Sequence, residues 1–111
     1  ALGETLFFDP ILSGNNRISC ATCHQPAKAF TDGLSLGGLG ATGKPLARNV
    51  PALANLAWAD GLFWDGGAKN LESLPVAPLT HADEMAQDLA ALMTELNALP
   101  SYRQQFREAF G

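Results

Sequence analysis

Cys20-Ala21-Thr22-Cys23-His24 is a pair of cysteines separated by two residues and followed directly by a histidine, the attachment signature of c-type haem. One helical turn places two thiols beneath the two vinyl groups of a porphyrin, and the adjacent imidazole can reach the iron as the proximal ligand. The stretch therefore predicts one covalently bound haem c, held by Cys20, Cys23 and His24.

Three other uses of these cysteines are weaker. A thioredoxin-type redox pair requires a surrounding βαβ pattern, and none is visible. A zinc site would have to combine the only thiols and imidazoles of the chain, which are Cys20, Cys23, His24 and His81. Neighbouring residues rarely reach one tetrahedral ion without strain. A disulfide across so short a loop would remove little entropy from the unfolded chain, so haem is the favoured interpretation.

The composition is that of a single globular domain. The 111 residues are 47% hydrophobic and 16% charged, and this length predicts one domain over residues 1–111. The 11 glycines and 7 prolines predict much irregular backbone, so a buried haem would supply apolar surface that the side chains lack. A net charge of −4 without a cluster of Lys or Arg argues against a nucleic-acid partner.

The sequence also bears on location. No stretch approaches the roughly 20 apolar residues that span a bilayer, so no membrane span is predicted. Residues 1–12 lack the basic start and apolar middle of a secretion signal, which is the pattern of a mature, soluble chain. Covalent c-type haem is installed outside the bacterial cytoplasm. The haem motif therefore predicts a periplasmic protein whose signal peptide has been removed.

The first half of the chain has few regular elements. Apolar residues at helical spacing predict a first helix from Leu2 to the stop at Asp9-Pro10, and the haem motif falls on a turn or short helix. Residues 33–45 contain five glycines and predict a long loop. Pro51–Trp58 could form a short helix with proline in its first turn.

The clearest predicted element is a helix from Thr80 to near Pro100. Thr80 is a candidate N-cap with Asp83 three residues later. Its apolar face would contain Met85, Leu89, Leu92, Met93 and Leu96. A terminal helix follows, with Ser101 and Gln104 as a second capping box. Its apolar stripe would comprise Tyr102, Phe106, Ala109 and Phe110. The fold class predicted is all-α: a loop-rich c-type cytochrome domain wrapped around one covalent haem.

Short motifs along the whole chain resemble one family. In order they are Leu2-Gly3, Leu6-Phe7-Phe8-Asp9-Pro10, Leu12-Ser13, Ile18-Ser19-Cys20, Cys23-His24, Phe30-Thr31-Asp32, Arg48-Asn49, Phe63-Trp64-Asp65-Gly66, Glu84-Met85 and Tyr102 with Phe106. Together they resemble the N-terminal haem domain of the bacterial di-haem cytochrome c peroxidases and their MauG-type relatives. The resemblance implies reduction of hydrogen peroxide to water at the haem.

The resemblance implies roles for four residues. His24 would be the proximal ligand of the peroxide-binding haem, and Glu84 the acid–base residue on its distal side. Trp64 would help electrons or holes pass between two haems, and Asn49 would help to hold an interdomain calcium ion. The residues alone allow other interpretations. Glu84 would be an acid in the first turn of a helix and Trp64 a core aromatic. Asn49 would be a turn residue before Pro51.

His81 is the only other imidazole of the chain. It stands three residues before Glu84, on the same helix face if the helix begins at Thr80. From there it could reach the distal pocket as a haem-site residue. A histidine that faces solvent beside a helix cap is the commoner situation.

The chain departs from the family pattern near the expected pocket. Many of these peroxidases carry a loop histidine that ligates the resting haem and must leave before peroxide binds. Residues 33–48 contain neither His nor Met. Gly67 stands where an arginine commonly follows Trp-Asp-Gly, and Leu74 where relatives have a distal glutamine.

A second C-x-x-C-H motif is absent from the sequence. Family members carry a C-terminal domain whose high-potential haem receives electrons from a small cytochrome or cupredoxin, so these are the expected partners. The chain ends at Phe110-Gly111, where the first domain of the family gives way to the second. We therefore expect a fragment that holds the first haem domain.

Two other functions remain open. A mono-haem electron carrier needs a second protein ligand to the iron, which Met85 or Met93 would have to supply. Their helical phase with Leu89, Leu92 and Leu96 favours core packing instead. A MauG-like oxidant of a protein substrate is not distinguished from a peroxidase by any residue of the chain.

Overall fold

The computed structural model describes all 111 residues and is all-α, as predicted. The five helices are α1 (Leu2–Phe8), α2 (Cys20–Cys23), α3 (Val76–Thr80), α4 (Leu89–Ala98) and α5 (Pro100–Phe110). Three short 3-10 turns lie at Pro10–Leu12, Pro26–Lys28 and Leu56–Trp58. The chain has no strand, and its only β-type pairings are isolated bridges between Gln25 and Thr31, Leu39 and Pro45, and Leu62 and Ala68. No helix combines the length and the apolar character needed to cross a membrane.

The first predicted helix is confirmed as α1, and Asp9 ends it. Asp9 has extended backbone, and its Oδ1 accepts a 2.9 Å hydrogen bond from the amide of Ile11. That bond caps the 3-10 turn Pro10–Leu12, in which proline occupies the first position without the loss of a hydrogen bond. The chain therefore reverses directly after α1.

The apolar core lies where α1, α4 and α5 meet the turn Pro10–Leu12. Its buried members are Leu12, Met85, Leu92, Leu96 and Tyr102. Cys20, the first residue of the haem motif, and Ile18 just before it pack against this cluster and connect α2 to the core. Leu2 and Leu6 of α1 and Phe106 of α5 cover it further. The core thus fixes the start of the haem motif relative to the C-terminal helices.

The prediction of one helix from Thr80 to near Pro100 is wrong. Helix α3 ends at Thr80, residues 81–88 form a turn, and α4 begins after Asp88. The Asp88 carboxylate accepts a 2.8 Å hydrogen bond from the amide of Ala91, which makes Asp88 the N-cap in place of Thr80. An aspartate directly before the apolar run of α4 starts that helix eight residues later than predicted.

Two further local predictions are wrong. Pro51–Trp58 is not a helix, because only Leu56–Trp58 forms a 3-10 turn after Asn55 in a left-handed conformation (φ 56°). Helix α5 begins at Pro100, so Ser101 lies inside its first turn and does not cap it. Proline fits the first helical position because its missing amide would have no helical partner there.

The predicted apolar faces are only partly buried. Met85 belongs to the core, whereas Met93 is 60% exposed and Phe110 is 81% exposed. Met93 lines an open groove between α4 and α5. The prediction of core packing is therefore confirmed for Met85 and wrong for Met93.

Candidate functional site

Helix α2 presents the two cysteines from a single capped turn. The amide of Ser19 donates a 2.9 Å hydrogen bond to the Thr22 hydroxyl, and the Ser19 side chain accepts in return from the Thr22 amide. This reciprocal capping box starts a helix that is only four residues long. Cys20 and Cys23 are half-buried and free of disulfide, so both thiols remain for thioether bonds.

The ring of His24 is fixed by a backbone oxygen. Its Nδ1 lies 2.8 Å from the carbonyl oxygen of Phe30, and since a carbonyl only accepts, Nδ1 carries the proton. The Nε2 atom then keeps its lone pair, the form in which a histidine binds a metal. A hydrogen bond of this kind orients a ligand imidazole and raises its basicity.

The carbonyl of Phe30 is held in place by the turn after α2. Ala29 and Phe30 both adopt left-handed backbone, with φ of 53° and 58°. The amide of Phe30 donates to the carbonyl of Gln25 at 2.9 Å, and its ring meets Phe7 of α1 edge-on at 6.0 Å. Two consecutive left-handed residues without glycine are costly, so this turn depends on the packing around it.

Both thiols have raised pKa values. Burial raises the pKa of Cys20. Burial also raises the pKa of Cys23, and the negative charges of Asp32 and Glu84 raise it further. The thiols are therefore neutral at physiological pH.

Glu84 lies in the turn between α3 and α4, which we call the 81–87 turn. It is half-buried, and its carboxylate has no hydrogen-bond or ion-pair partner in the chain. The interpretation of Glu84 as a first-turn helical acid is wrong, because residues 81–88 are not helical.

The prediction that His81 and Glu84 share a helix face is wrong for the same reason. His81 is exposed, and its Nδ1 accepts a hydrogen bond from the amide of Asp83 at 3.1 Å.

Asp32 organises the start of the glycine-rich loop, a role that the sequence did not predict for it. Its buried carboxylate accepts hydrogen bonds from the amides of Leu34 at 3.0 Å and Gly38 at 2.8 Å. The ammonium of Lys28 donates to the Asp32 carbonyl at 2.9 Å. An aspartate directly before a glycine-rich stretch is the sequence signal for such a turn.

The loop then folds back and docks on the 81–87 turn. The amide of Ala41 donates to the carbonyl of Glu84 at 2.6 Å, and the ammonium of Lys44 pairs with the Asp83 carboxylate at 3.4 Å. Gly40 has no room for a β-carbon, which would overlap the carbonyl oxygen of Asp83. Loop and turn are therefore one packed unit beside Glu84.

Trp64 and Asn49 form a separate pair. The indole Nε1 of Trp64 donates a 2.9 Å hydrogen bond to the carbonyl of Asn49, and Arg48 pairs with Asp65 at 3.2 Å. Trp64 is 57% exposed at the tip of a tight turn, so the interpretation as a core aromatic is wrong. No hydrogen bond joins this pair to the stretch Cys20–His24. The structure thus places Trp64 with Asn49.

The donor set fits a c-type haem better than a zinc ion. No three His, Cys, Asp or Glu side chains are grouped so that they could hold a metal ion, and His81 is bonded to Asp83 instead. Two free thiols on one turn and an imidazole with Nε2 available match covalent haem attachment. Exposed leucines of the glycine-rich loop offer apolar surface for such a group: Leu34, Leu36 and Leu39.

Comparison with known proteins gives concordant results. The family model described as di-haem cytochrome c peroxidase matches residues 1–111. The chain is 45% identical over its whole length to the methylamine utilization protein MauG of Methylorubrum extorquens, where it covers 31% of that protein. It is 34% identical to cytochrome c551 peroxidase of Nitrosomonas europaea, over 99% of this chain and 33% of the relative.

A solved structure shares the fold. It is a MauG-like protein associated with microbial copper homeostasis, with a TM-score of 0.88 and 39% identity. The match covers 98% of this chain and 33% of the other. The chain therefore spans about a third of the length of the curated relatives and of this structure.

Proposed function

Since this chain belongs to the di-haem cytochrome c peroxidase family, we propose that it is the domain at which such a protein binds and reduces hydrogen peroxide. Haem c is attached through Cys20 and Cys23, and His24 is its proximal ligand. A second haem domain and a small cytochrome or cupredoxin supply electrons to it. The location is the periplasm.

The haem, when bound, supplies an iron at which peroxide can bind and be reduced. His24 contributes the orientation of its ring. Because the Phe30 carbonyl holds the proton on Nδ1, the Nε2 lone pair stays directed away from that bond. Helix α2 places Cys20 and Cys23 one turn apart, so the porphyrin is anchored by its two former vinyl groups beside the imidazole.

Glu84 is the proposed acid–base residue. Reduction of one peroxide to two waters consumes two protons and two electrons, and a proton must move from one peroxide oxygen to the other as their bond breaks. The Glu84 carboxylate can accept that proton on an Oε atom and return it, since no partner within the chain occupies it. The observation that carries the proposal is this half-buried carboxylate without a partner, in the turn on which the glycine-rich loop docks.

Trp64 and Asn49 receive the remaining roles. Trp64 relays electrons from the second haem domain, which its exposure at a turn tip supports. Asn49 contributes to a calcium site between domains. The Asn49 carbonyl accepts a hydrogen bond from the Trp64 indole, so a calcium ion bound at Asn49 would help to fix the position of that indole.

Replacing Glu84 tests the proposal. Glu84→Gln keeps size and hydrogen bonding but removes the titratable carboxylate. Acid–base groups contribute about a hundredfold to ten-thousandfold, so the haem-loaded variant should react with hydrogen peroxide slower by roughly that range. Glu72→Gln, at an exposed glutamate, is the matched control. Stopped-flow absorbance measures the rate, and an unchanged rate in Glu84→Gln would overturn the assignment.

A MauG-like oxidation of a protein substrate is the second candidate. The higher identity to the protein named MauG, 45% against 34% for the cytochrome c551 peroxidase, favours keeping it. A test with hydrogen peroxide and a reduced small cytochrome distinguishes the two candidates, because a peroxidase should consume the peroxide as it oxidises the cytochrome. The mono-haem electron carrier is less well supported, because Met85 is buried in the apolar core and Met93 lines a groove that contains no residue of Cys20–His24.

A further inference from the structure

His81 supports three amides of the turn that carries Glu84. Its ring Nδ1 accepts a hydrogen bond from the amide of Asp83 at 3.1 Å. Its backbone carbonyl accepts from the amides of Glu84 and Ala86, both at 3.0 Å. One residue therefore provides every hydrogen-bond acceptor that these three amides have.

The rest of the turn is anchored elsewhere. The amides of Met85 and Gln87 donate to the carbonyls of Pro78 and Leu79, at 3.1 and 2.8 Å. These bonds hold the return of the chain along α3. Within residues 82–84, the Ala41 amide holds the carbonyl of Glu84, and the ring of His81 is the only side chain that bonds to the backbone.

The His81 ring stands in for the side chain of an Asx turn. In such a turn an Asn or Asp oxygen accepts from the amide two residues later, as Nδ1 of His81 does from Asp83. We propose that His81 is a positioning residue, which holds the Glu84 backbone in place through its unprotonated ring Nδ1. This inference rests on the proposed acid–base role of Glu84.

The proposal depends on Nδ1 of His81 as a hydrogen-bond acceptor. A protonated imidazole carries hydrogens on both nitrogens and cannot accept from the Asp83 amide. The charged groups of the turn are Asp83 and Glu84, and the charged group that packs against it is Lys44, which pairs with Asp83 at 3.4 Å.

Two substitutions in the haem-loaded protein separate this role from others. His81→Ala removes the acceptor, whereas His81→Asn restores one from an amide oxygen. Protection of the Asp83 amide against hydrogen exchange is measured by NMR, and the peroxide rate is measured in parallel. Protection should fall roughly two- to tenfold in His81→Ala, as expected for one lost hydrogen bond. His81→Asn should retain it.

The peroxide rate should follow the same order, with His81→Asn close to the parent and His81→Ala slower. In a Glu84→Gln background, His81→Ala should cause no further loss, because both changes act through one group. Unchanged protection in His81→Ala, or a rate in His81→Asn as low as in His81→Ala, would overturn the inference. Full activity of Glu84→Gln alone would instead refute the acid–base role, while the exchange data still report on the turn.

Discussion

The backbone amide of Ala41 donates a 2.6 Å hydrogen bond to the carbonyl oxygen of Glu84, which joins the glycine-rich loop to the 81–87 turn. Asn15 extends this connection, since its side-chain amide donates to the Ala41 carbonyl at 2.7 Å. The loop therefore acts on Glu84 through the backbone, without a side-chain contact to its carboxylate. Changes in the loop should alter the reaction at a distance from the reacting atoms.

Gly40→Ala should displace the 81–87 turn. A β-carbon at Gly40 would overlap the carbonyl oxygen of Asp83, so the loop or the turn must move. Overpacking of this kind typically costs about 1–3 kcal/mol of unfolding free energy. Denaturation of the haem-loaded protein should show that loss, together with a slower peroxide reaction. Gly38→Ala is the matched control, because its β-carbon would meet Asp32 at an ordinary 3.5 Å. If both variants lost the same unfolding free energy and reacted equally fast with peroxide, the close contact between Gly40 and the 81–87 turn would not matter as predicted.

Covalent attachment should depend on both cysteines. Protein matured in a host with the c-type assembly machinery should carry one haem by mass spectrometry, joined through Cys20 and Cys23. Cys20→Ala and Cys23→Ala should each keep one thioether, and the double variant should lose covalent haem. Free thiols with no added mass in the parent protein after such expression would refute this prediction.

Much of the fold around the haem motif could be predicted from local sequence. The periodicity before Asp9-Pro10 identified α1, because proline stops a helix irrespective of tertiary contacts. The cysteine spacing identified the turn of α2, and the density of glycine identified the loop 33–45. Each of these signals acts over a few residues, which is why the chain alone reveals it.

The surroundings of Glu84 could not be predicted in this way. Apolar periodicity continued from Met85 into α4, so it suggested a helix across residues 81–88. The actual turn depends on close approaches that are distant in sequence, such as Gly14 against Ala86 and Gly40 against Asp83. Glu84 itself was found only through the family resemblance. Asp88 directly before α4 was a local signal for the start of that helix, although the sequence analysis assigned the N-cap to Thr80.

The ferric haem should have a single protein ligand. Residues 33–48 contain no His or Met, and Met85 is buried in the core. Met93 lines the groove between α4 and α5, which contains no residue of Cys20–His24, and the Nδ1 of His81 is engaged by Asp83. The electron paramagnetic resonance spectrum at neutral pH should therefore be high-spin and should become low-spin on addition of cyanide. A purely low-spin spectrum without cyanide would contradict the prediction and would favour the electron carrier.

Tyr102 should make stability decline in alkali. Its side chain is 4% exposed, and its hydroxyl donates to the Asp9 carboxylate. Burial, followed by the hydrogen bond and charge of Asp9, raises the pKa of Tyr102 to about 12. The ordinary value is about 10, so the folded protein holds the phenolic proton more tightly than the unfolded chain. This contribution to stability is complete below pH 10 and is lost as the pH rises from 10 towards 12.

Tyr102→Phe isolates that contribution. At pH 7 the haem-loaded variant should lose about 1–3 kcal/mol of unfolding free energy, since a hydrogen bond to a charged acceptor is removed. Between pH 10 and 12 the parent should lose stability faster than the variant, so the difference between them should shrink. Phe106→Leu, at a partly buried position in the same helix, is the control that should cost stability without changing the pH dependence. Chemical denaturation at a series of pH values measures all three proteins, and a constant difference between parent and Tyr102→Phe up to pH 12 would show that the hydroxyl does not titrate as described.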